Sequence, residues 1–182
     1  MRYIEGLKDH HKGQTCAILG GGPSLVKDIQ SLPDVDVLIG VNQHSMIMPL
    51  DYLAFIDSKV WPLVQDCDCT FITRSATVCN DPRNDEQFDI IRYRPEVKPN
   101  YSGVLAIQAA DRMGFSKIYV CGMSQYDPND DRLYWWQGPQ VAKTEKERKN
   151  RDVLSEILNS VRFLRHPHNV HFMSGRLKEK HQ

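Results

Sequence analysis

One turn constrains the fold more than any other feature, because it carries the chain from a buried strand through three glycines into a helix. The run Thr15–Leu19 predicts the strand, Gly20–Gly22 follow, and Pro23-Ser24-Leu25 begins a helical segment. Glycines let the backbone approach a ligand closely and adopt positive φ. The free N–H groups where such a turn enters a helix suit a phosphate or a carboxylate. A tight turn without a ligand explains the glycines equally well, so the motif alone leaves both interpretations open.

Two well-known phosphate loops do not match this turn. A Walker A loop requires Gly-Lys-Ser/Thr, and no such triplet follows the glycines. The dinucleotide pattern G-x-G-x-x-G requires a third glycine where Leu25 stands.

The length predicts a single domain, residues 1–182, and the cysteine usage predicts a reducing environment inside the cell. The 23 basic and 23 acidic residues balance, which argues against a nucleic-acid partner. Apolar runs are too short to span a membrane, and Met1–Glu5 lacks the apolar segment of a secretory signal. The five cysteines are an odd number and are expected to be free thiols, so a cytoplasmic location is expected.

Short apolar runs alternate with helix-like segments along the chain. This alternation predicts an α/β class protein, a single Rossmann-like domain with a mostly parallel sheet and helices on both faces. The predicted strands are Thr15–Leu19, Val35–Val41, Tyr52–Ile56, Thr70–Thr73, Lys117–Cys121 and Val170–Phe172.

The clearest predicted helix, Ser102–Met113, is apolar on most faces and should be buried against the sheet. Ser102 is expected to cap it and Gly114 to end it. Other helices are predicted at Ser24–Ser31, Ser58–Gln65 and Thr144–Leu164, with mostly loop at Asn80–Asn100 and Asp127–Lys143. The second loop carries Tyr134, Trp135 and Trp136 and is a candidate lid.

Polar and glycine residues collect where the predicted strands end. In open α/β sheets, ligands bind beyond these carboxyl ends. Each residue taken alone fits a turn cap, but their convergence on one edge favours a pocket. The candidate residues are Gly20, Gly21, Gly22, Ser24, Asn42, Gln43, His44, Asp57, Ser102, Gly103, Gly122 and Tyr126.

Three segments carry a resemblance to the bacterial sialyltransferases of glycosyltransferase family 42. They are Gly20-Gly-Gly-Pro-Ser-Leu25, Val41-Asn-Gln43, and the stretch from Tyr101-Ser-Gly-Val to Cys121-Gly-Met-Ser-Gln-Tyr126. The resemblance implies a nucleotide-sugar-dependent glycosyltransferase that needs no metal. It implies that Gly20–Gly22 and Ser24 hold the donor phosphate and that Asn42 and Gln43 contact the nucleoside. Ser102, Gly103 and Gly122 complete the binding residues, while Tyr126 and Tyr134 assist the departing phosphate.

The chain departs from the family pattern at two places. Ser124 replaces an acidic residue, and no histidine lies near Lys146–Asn150, where the family's catalytic histidine is expected. His44 is therefore the candidate base, since it lies at the predicted edge and has an ordinary pKa close to neutral. The group His166, His168 and His171 is expected to form a turn rather than a metal site.

A second resemblance leaves an alternative open. Leu50–Asp57 is similar to a segment of the MptE-like 6-hydroxymethylpterin diphosphokinases, and that likeness implies Mg²⁺ held by Asp57, with Asp51 as a second ligand. A nucleotide-binding module without turnover is the third hypothesis. The expected partners are a nucleotide or nucleotide-sugar donor and an unidentified acceptor, and association into a homo-oligomer stays open.

Overall fold

The apolar runs form one eight-stranded sheet in which every pair of neighbouring strands is parallel. The structure is a computed structural model that describes residues 2–43, 46–93, 99–123, 134–135 and 154–181. The strands are β1 (Arg2–Tyr3), β2 (Thr15–Leu19), β3 (Val37–Val41), β4 (Tyr52–Phe55), β5 (Thr70–Thr73), β6 (Ile90–Arg92), β7 (Lys117–Cys121) and β8 (Val170–Phe172). Their spatial order is β1-β6-β5-β4-β3-β2-β7-β8.

Helices cover both faces of the sheet, because successive strand residues point to opposite sides. Along β2, Ile18 joins the core beneath the longest helix, whereas Leu19 joins a second core on the other face. The helices of the described ranges are α1 (Leu25–Gln30), α2 (Trp61–Val64), α3 (Ala76–Cys79), α4 (Pro82–Gln87), α5 (Ser102–Met113), α6 (Leu154–Arg162) and α7 (Gly175–His181), and 3₁₀ turns lie at Ile4–Leu7, Ser58–Val60 and Pro167–Asn169. This architecture confirms the predicted α/β class with helices on both faces.

The order of the strands reverses beside β2. From β2 the chain moves outward through β3, β4, β5 and β6, and it then returns through α5 to β7 on the other side of β2. Such a reversal opens a crevice at the carboxyl ends of the two flanking strands, the usual ligand position in doubly wound sheets. Here those ends are Leu19 of β2 and Cys121 of β7.

Helix α5 is buried along almost its whole length, as its composition predicts. Gly114 ends it in the left-handed conformation at φ 86°. The prediction that Ser102 caps it is wrong, because Tyr101 is the N-cap residue and Ser102 is the first residue of the helix. The Ser102 hydroxyl instead accepts a hydrogen bond from the Ile56 N–H at 3.2 Å, which attaches α5 to the end of β4.

Several predicted boundaries need correction. The stretch Asn80–Asn100, expected to be mostly loop, contains α4 and β6. Helix α1 begins at Leu25, so Pro23 lies before the helix rather than in its first turn. Strand β1 and helix α7 were not predicted. Of the predicted helix Thr144–Leu164 and loop Asp127–Lys143, the described parts are 154–164 and 134–135.

Within the described ranges, no helix has the length and apolar composition needed to cross a bilayer.

Candidate functional site

The glycine turn after β2 is hydrogen-bonded to the end of β7. The Gly20 N–H donates to the carbonyl of Cys121 at 2.8 Å, and the Gly22 N–H donates to the carbonyl of Gly122 at 2.7 Å. Two of the N–H groups expected to face a phosphate are therefore engaged within the fold. In the described part of the chain, the N–H groups of Gly21 and Ser24 have no such acceptor, so these two remain the donors of the turn.

A single buried carboxylate joins three chain segments: the glycine turn with Ser24, the end of β7 with Gly122, and Ser174 after β8. We call the place where these segments meet the crossing. Asp28 of α1 is 2% exposed, and its Oδ2 accepts hydrogen bonds from the Ser24 hydroxyl (2.9 Å), the Gly122 N–H (2.9 Å) and the Ser174 hydroxyl (3.0 Å). One oxygen thus joins the glycine turn, the end of β7 and the end of β8. Sequence analysis missed Asp28. The available signal was an acidic residue placed four positions after Ser24 in a short helix.

Two glycines at this crossing are required by close packing of the backbone. A Cβ atom on Gly20 would lie 2.5 Å from the carbonyl oxygen of Gly122 and 2.8 Å from Cγ of Met123. Gly122 adopts φ +63°, and a Cβ there would lie 2.9 Å from Cβ of Leu25. These contacts explain Gly20 and Gly122 by the approach of β2 to β7, whether or not a ligand binds.

Met123 brings the start of α5 to the same place. A Cβ atom on Gly103 would lie 2.4 Å from Cε of Met123, whose Cγ borders Gly20. The three motifs that begin at Gly20, Gly103 and Gly122 are far apart in sequence, and the fold brings them into contact through this half-buried side chain.

Asn42 follows β3 in a backbone conformation that residues other than glycine rarely adopt. Its φ is +56°, and its N–H donates to the carbonyl of Ala54 in β4 at 3.0 Å. Asparagine tolerates this left-handed region better than most residues, and such conformations concentrate at functional sites. Asn42 and Gln43 are both half-buried at the carboxyl edge, next to the strand that carries the glycine turn.

The two aspartates of the magnesium hypothesis lie at opposite edges of the sheet. Asp57 follows β4 and caps the 3₁₀ turn by accepting the Lys59 N–H at 2.9 Å. Asp51 precedes β4 and accepts the Leu38 N–H at 2.8 Å. A strand separates them, so they cannot share one ion. Among the residues that the structure describes, no three His, Cys, Asp or Glu side chains are grouped as metal ligands, His166, His168 and His171 included.

The aromatic segment of the predicted lid contacts the glycine turn where it is described. The Trp135 N–H donates to the carbonyl of Gly21 at 3.1 Å, and the Trp135 side chain packs against the core that contains Leu19 and Leu25. Tyr134, immediately before it, is half-buried. His44 and Tyr126, the other two predicted catalytic residues, lie outside the described residues, as does Trp136.

The buried thiol at the crossing is not a nucleophile. Burial, with a further contribution from the charge of Asp28, raises the pKa of Cys121 to about 12. The thiol therefore stays protonated at neutral pH, and only the thiolate reacts. Its role is packing at the end of β7.

A cavity of about 460 Å³ lies at the amino ends of β4 and β5, away from the glycine turn. It is bordered by Asp51, Asp68 and Asp89, by the pair Cys67 and Cys69, and by Phe88. Ligands of parallel α/β sheets bind at the other edge, and the site motifs converge there. We therefore assign the candidate site to the carboxyl edge rather than to this cavity.

No family model matches the chain, and no curated protein matches its sequence significantly. The solved structures include the sialyltransferase CstII from Campylobacter jejuni in complex with cytidine-5'-monophosphate. It matches with a TM-score of 0.55 and 15% identity, over 90% of this chain and 81% of that chain. This match shows that the protein has the fold of that glycosyltransferase.

Two further structures match less well. CstII in complex with CMP-3FNeuAc gives a TM-score of 0.49 and 16% identity, over 87% of this chain and 79% of that chain. The MAf glycosyltransferase from Magnetospirillum magneticum AMB-1 gives 0.46 and 20%, over 66% of this chain and 25% of that chain. The comparisons lend no support to the MptE-like resemblance.

The packing at the crossing predicts that Gly20→Ala lowers the free energy of unfolding. The new methyl group meets a backbone carbonyl, and overpacking of this kind costs about 1–3 kcal/mol. Gly6→Ala is the control, because a Cβ at Gly6 meets nothing within 4 Å. Urea denaturation of both variants measures the difference. Equal, small effects would show that β2 and β7 do not approach this closely.

Proposed function

We propose that the protein is a nucleotide-sugar-dependent glycosyltransferase of the sialyltransferase type, with the donor at the carboxyl edge of the sheet. The observation that carries the proposal is the convergence of the glycine turn, Asn42 and the start of α5 around the reversal of strand order. The shared fold with CstII is consistent with a donor of this class. The identity of the sugar and of the acceptor is not part of the proposal.

The donor phosphate is assigned to the turn Gly20–Gly22 and Ser24, and specifically to the N–H groups of Gly21 and Ser24. Gly20 and Gly22 shape the turn, since their own N–H groups donate to the carbonyls of Cys121, the last residue of β7, and of Gly122, the residue after it. Helix α1 has only six residues, whereas the twelve-residue α5 begins at Ser102 and Gly103 on the same edge. The positive end of α5 therefore supplies most of the helix field at this edge.

The nucleoside is assigned to Asn42 and Gln43. A side-chain amide offers both donors and an acceptor, which suits the edge of a base or the hydroxyls of a ribose. Their position beside the glycine turn allows one nucleotide to reach both groups, because neighbouring strands lie about 4.8 Å apart.

The proposed reaction is a direct displacement at the anomeric carbon of the donor. The acceptor oxygen forms the new bond to that carbon, and the bond from the carbon to the phosphate oxygen breaks. Tyr126 and Tyr134 donate hydrogen bonds to the departing phosphate, and His44 takes the proton from the acceptor hydroxyl. Tyrosine hydroxyls and backbone N–H groups hold the phosphate charge, so the proposed reaction requires no metal.

Calorimetry with a nucleotide panel, with and without Mg²⁺, tests the proposal. We expect CMP or another nucleoside phosphate to bind equally well in EDTA, and a CMP-sugar donor to release CMP on incubation. Magnesium-dependent ATP binding would favour the diphosphokinase instead. Tight CMP binding without release would identify a binding module, which the lack of a histidine near Lys146–Asn150 favours.

Asn42→Gly should weaken nucleotide binding by about 1–3 kcal/mol, the cost of leaving a polar partner unpaired. Glycine accepts φ +56° without strain, so the backbone at this position is preserved. The measurement is CMP titration by calorimetry, with thermal unfolding as the control. A lowered unfolding temperature with unchanged affinity would make Asn42 a structural turn residue.

Tyr134→Phe should lower the rate of CMP release from a CMP-sugar about 100-fold or more, the usual effect of losing a hydrogen-bond donor positioned at a developing charge. Tyr119→Phe is the matched control, because Tyr119 lies in the middle of β7, away from the turn. CMP affinity should change little in either variant. Equal rates in the two variants would remove Tyr134 from the proposed mechanism.

A further inference from the structure

Arg74 lies at the carboxyl edge of the sheet with part of its guanidinium buried and unpaired. It follows Thr73, the last residue of β5, and is half-buried. Its Nε is shielded from solvent and has no hydrogen-bond partner within the described residues. Neighbouring arginines differ in this respect, since Arg83 pairs with Asp81 and Arg92 donates to Asn80.

The register of the strands fixes where Arg74 stands. Thr73 pairs with Phe55 of β4 and with Arg92 of β6, so Arg74 lies between Ile56 and Tyr93, the residues that follow those partners. Side chains alternate along β5, and Ile72 belongs to the core on the α5 side. Arg74 is therefore placed on the face covered by α5.

The start of α5 is attached to the strand next to Arg74. The Ile56 N–H donates to the Ser102 hydroxyl at 3.2 Å, so the first turn of α5 stands over the end of β4. The first N–H groups of an α-helix lack intrahelical acceptors and carry partial positive charge. The guanidinium and the helix start thus bring positive charge to the same part of the edge.

An unpaired, partly desolvated guanidinium is costly to maintain in a folded protein. A buried polar donor without a partner costs about 1–3 kcal/mol, and more when the group is charged. The planar guanidinium matches the two oxygens of a carboxylate or a phosphate. An oxyanion brought by a ligand would supply the missing partner.

This anion cannot be the phosphate proposed for the glycine turn. Three strand spacings separate β5 from β2, which is about 14 Å. We propose that Arg74 binds a second anionic group, a carboxylate or a phosphate, carried by the donor sugar or by the acceptor. The inference rests on the proposed function only for the identity of the ligand.

The test is a titration with inorganic phosphate at constant ionic strength, with CMP present to occupy the glycine turn and thermal unfolding as the readout. In Arg74→Met we expect phosphate to bind about tenfold more weakly or worse, the loss of a charge-assisted contact. Without phosphate, Arg74→Met should unfold at the same temperature as the unmutated protein or higher, because the unpaired charge is gone. Arg74→Lys keeps the positive charge but lacks the planar guanidinium that matches two oxygens, so it should bind phosphate with intermediate affinity.

Arg92→Met is the matched control, since it removes an arginine from the adjacent strand whose guanidinium already has a partner. Phosphate affinity in this variant should not change. A lower unfolding temperature in Arg74→Met with full phosphate affinity would overturn the proposal and make Arg74 a structural residue. Calorimetry with CMP reports the nucleotide site separately, so failure of the proposed function is distinguishable.

The source of the anion follows from two probes. If Arg74→Met weakens binding of CMP-3FNeuAc and leaves CMP unchanged, the donor sugar carries the group. If both bind as before while phosphate binding is weakened, the acceptor carries it. Either result supports the anion site.

Discussion

The hydrogen bonds to Asp28 are the interaction on which the arrangement of the candidate site depends. Its Oδ2 accepts from groups of the glycine turn, of the end of β7 and of the end of β8, and it does so at 2% exposure. Without this acceptor the Gly122 N–H, which is buried, would lack its partner. The pairing of β2 with β7 fixes the spacing of these strands, and the carboxylate holds the segments that follow them in place.

The close approach of β2 and β7 decides which backbone N–H groups of the glycine turn can donate to a ligand. Because β2 and β7 approach so closely, the N–H groups of Gly20 and Gly22 donate to carbonyls of the neighbouring segment. The turn retains two donors, at Gly21 and Ser24. Met123 carries the same packing to Gly103, so the long helix α5 begins beside the turn. A ligand at this edge would meet the backbone of the glycine turn on one side and, on the other, Asn42 and Gln43 after β3 and Asp57 after β4.

Much of the sheet could be predicted from the sequence, because buried parallel strands are continuous apolar runs. The bounds of β2, β5, β7 and β8 agree with the prediction residue for residue. The missed strands, β1 and β6, lie at or next to the edge of the sheet and have two and three residues, which is too short for a recognisable hydrophobic pattern. Residues 80–100 are polar and contain prolines, which concealed both α4 and β6.

The site was only partly predictable, for a different reason. The glycine turn and Asn42 can be recognised from the local sequence, through its composition and their position after a predicted strand. Asp28 does not, because two of its partners lie 94 and 146 positions away in sequence. Arg74 gives no signal either, since only the folded arrangement shows that its Nε lacks a partner. The roles of His44 and Tyr126, which lie outside the described residues, stay predictions from resemblance.

Amide NMR of the isotope-labelled protein during titration with CMP tests the central claim most directly. If the nucleotide binds at the carboxyl edge beside the glycine turn, the amide signals of Gly21, Asn42 and Gly103 shift with one common dissociation constant. Signals of Asp68 and Cys69, at the cavity on the amino edge, should then stay unchanged. Shifts confined to that cavity, or no shifts at millimolar CMP, would contradict the assignment of the site to the carboxyl edge.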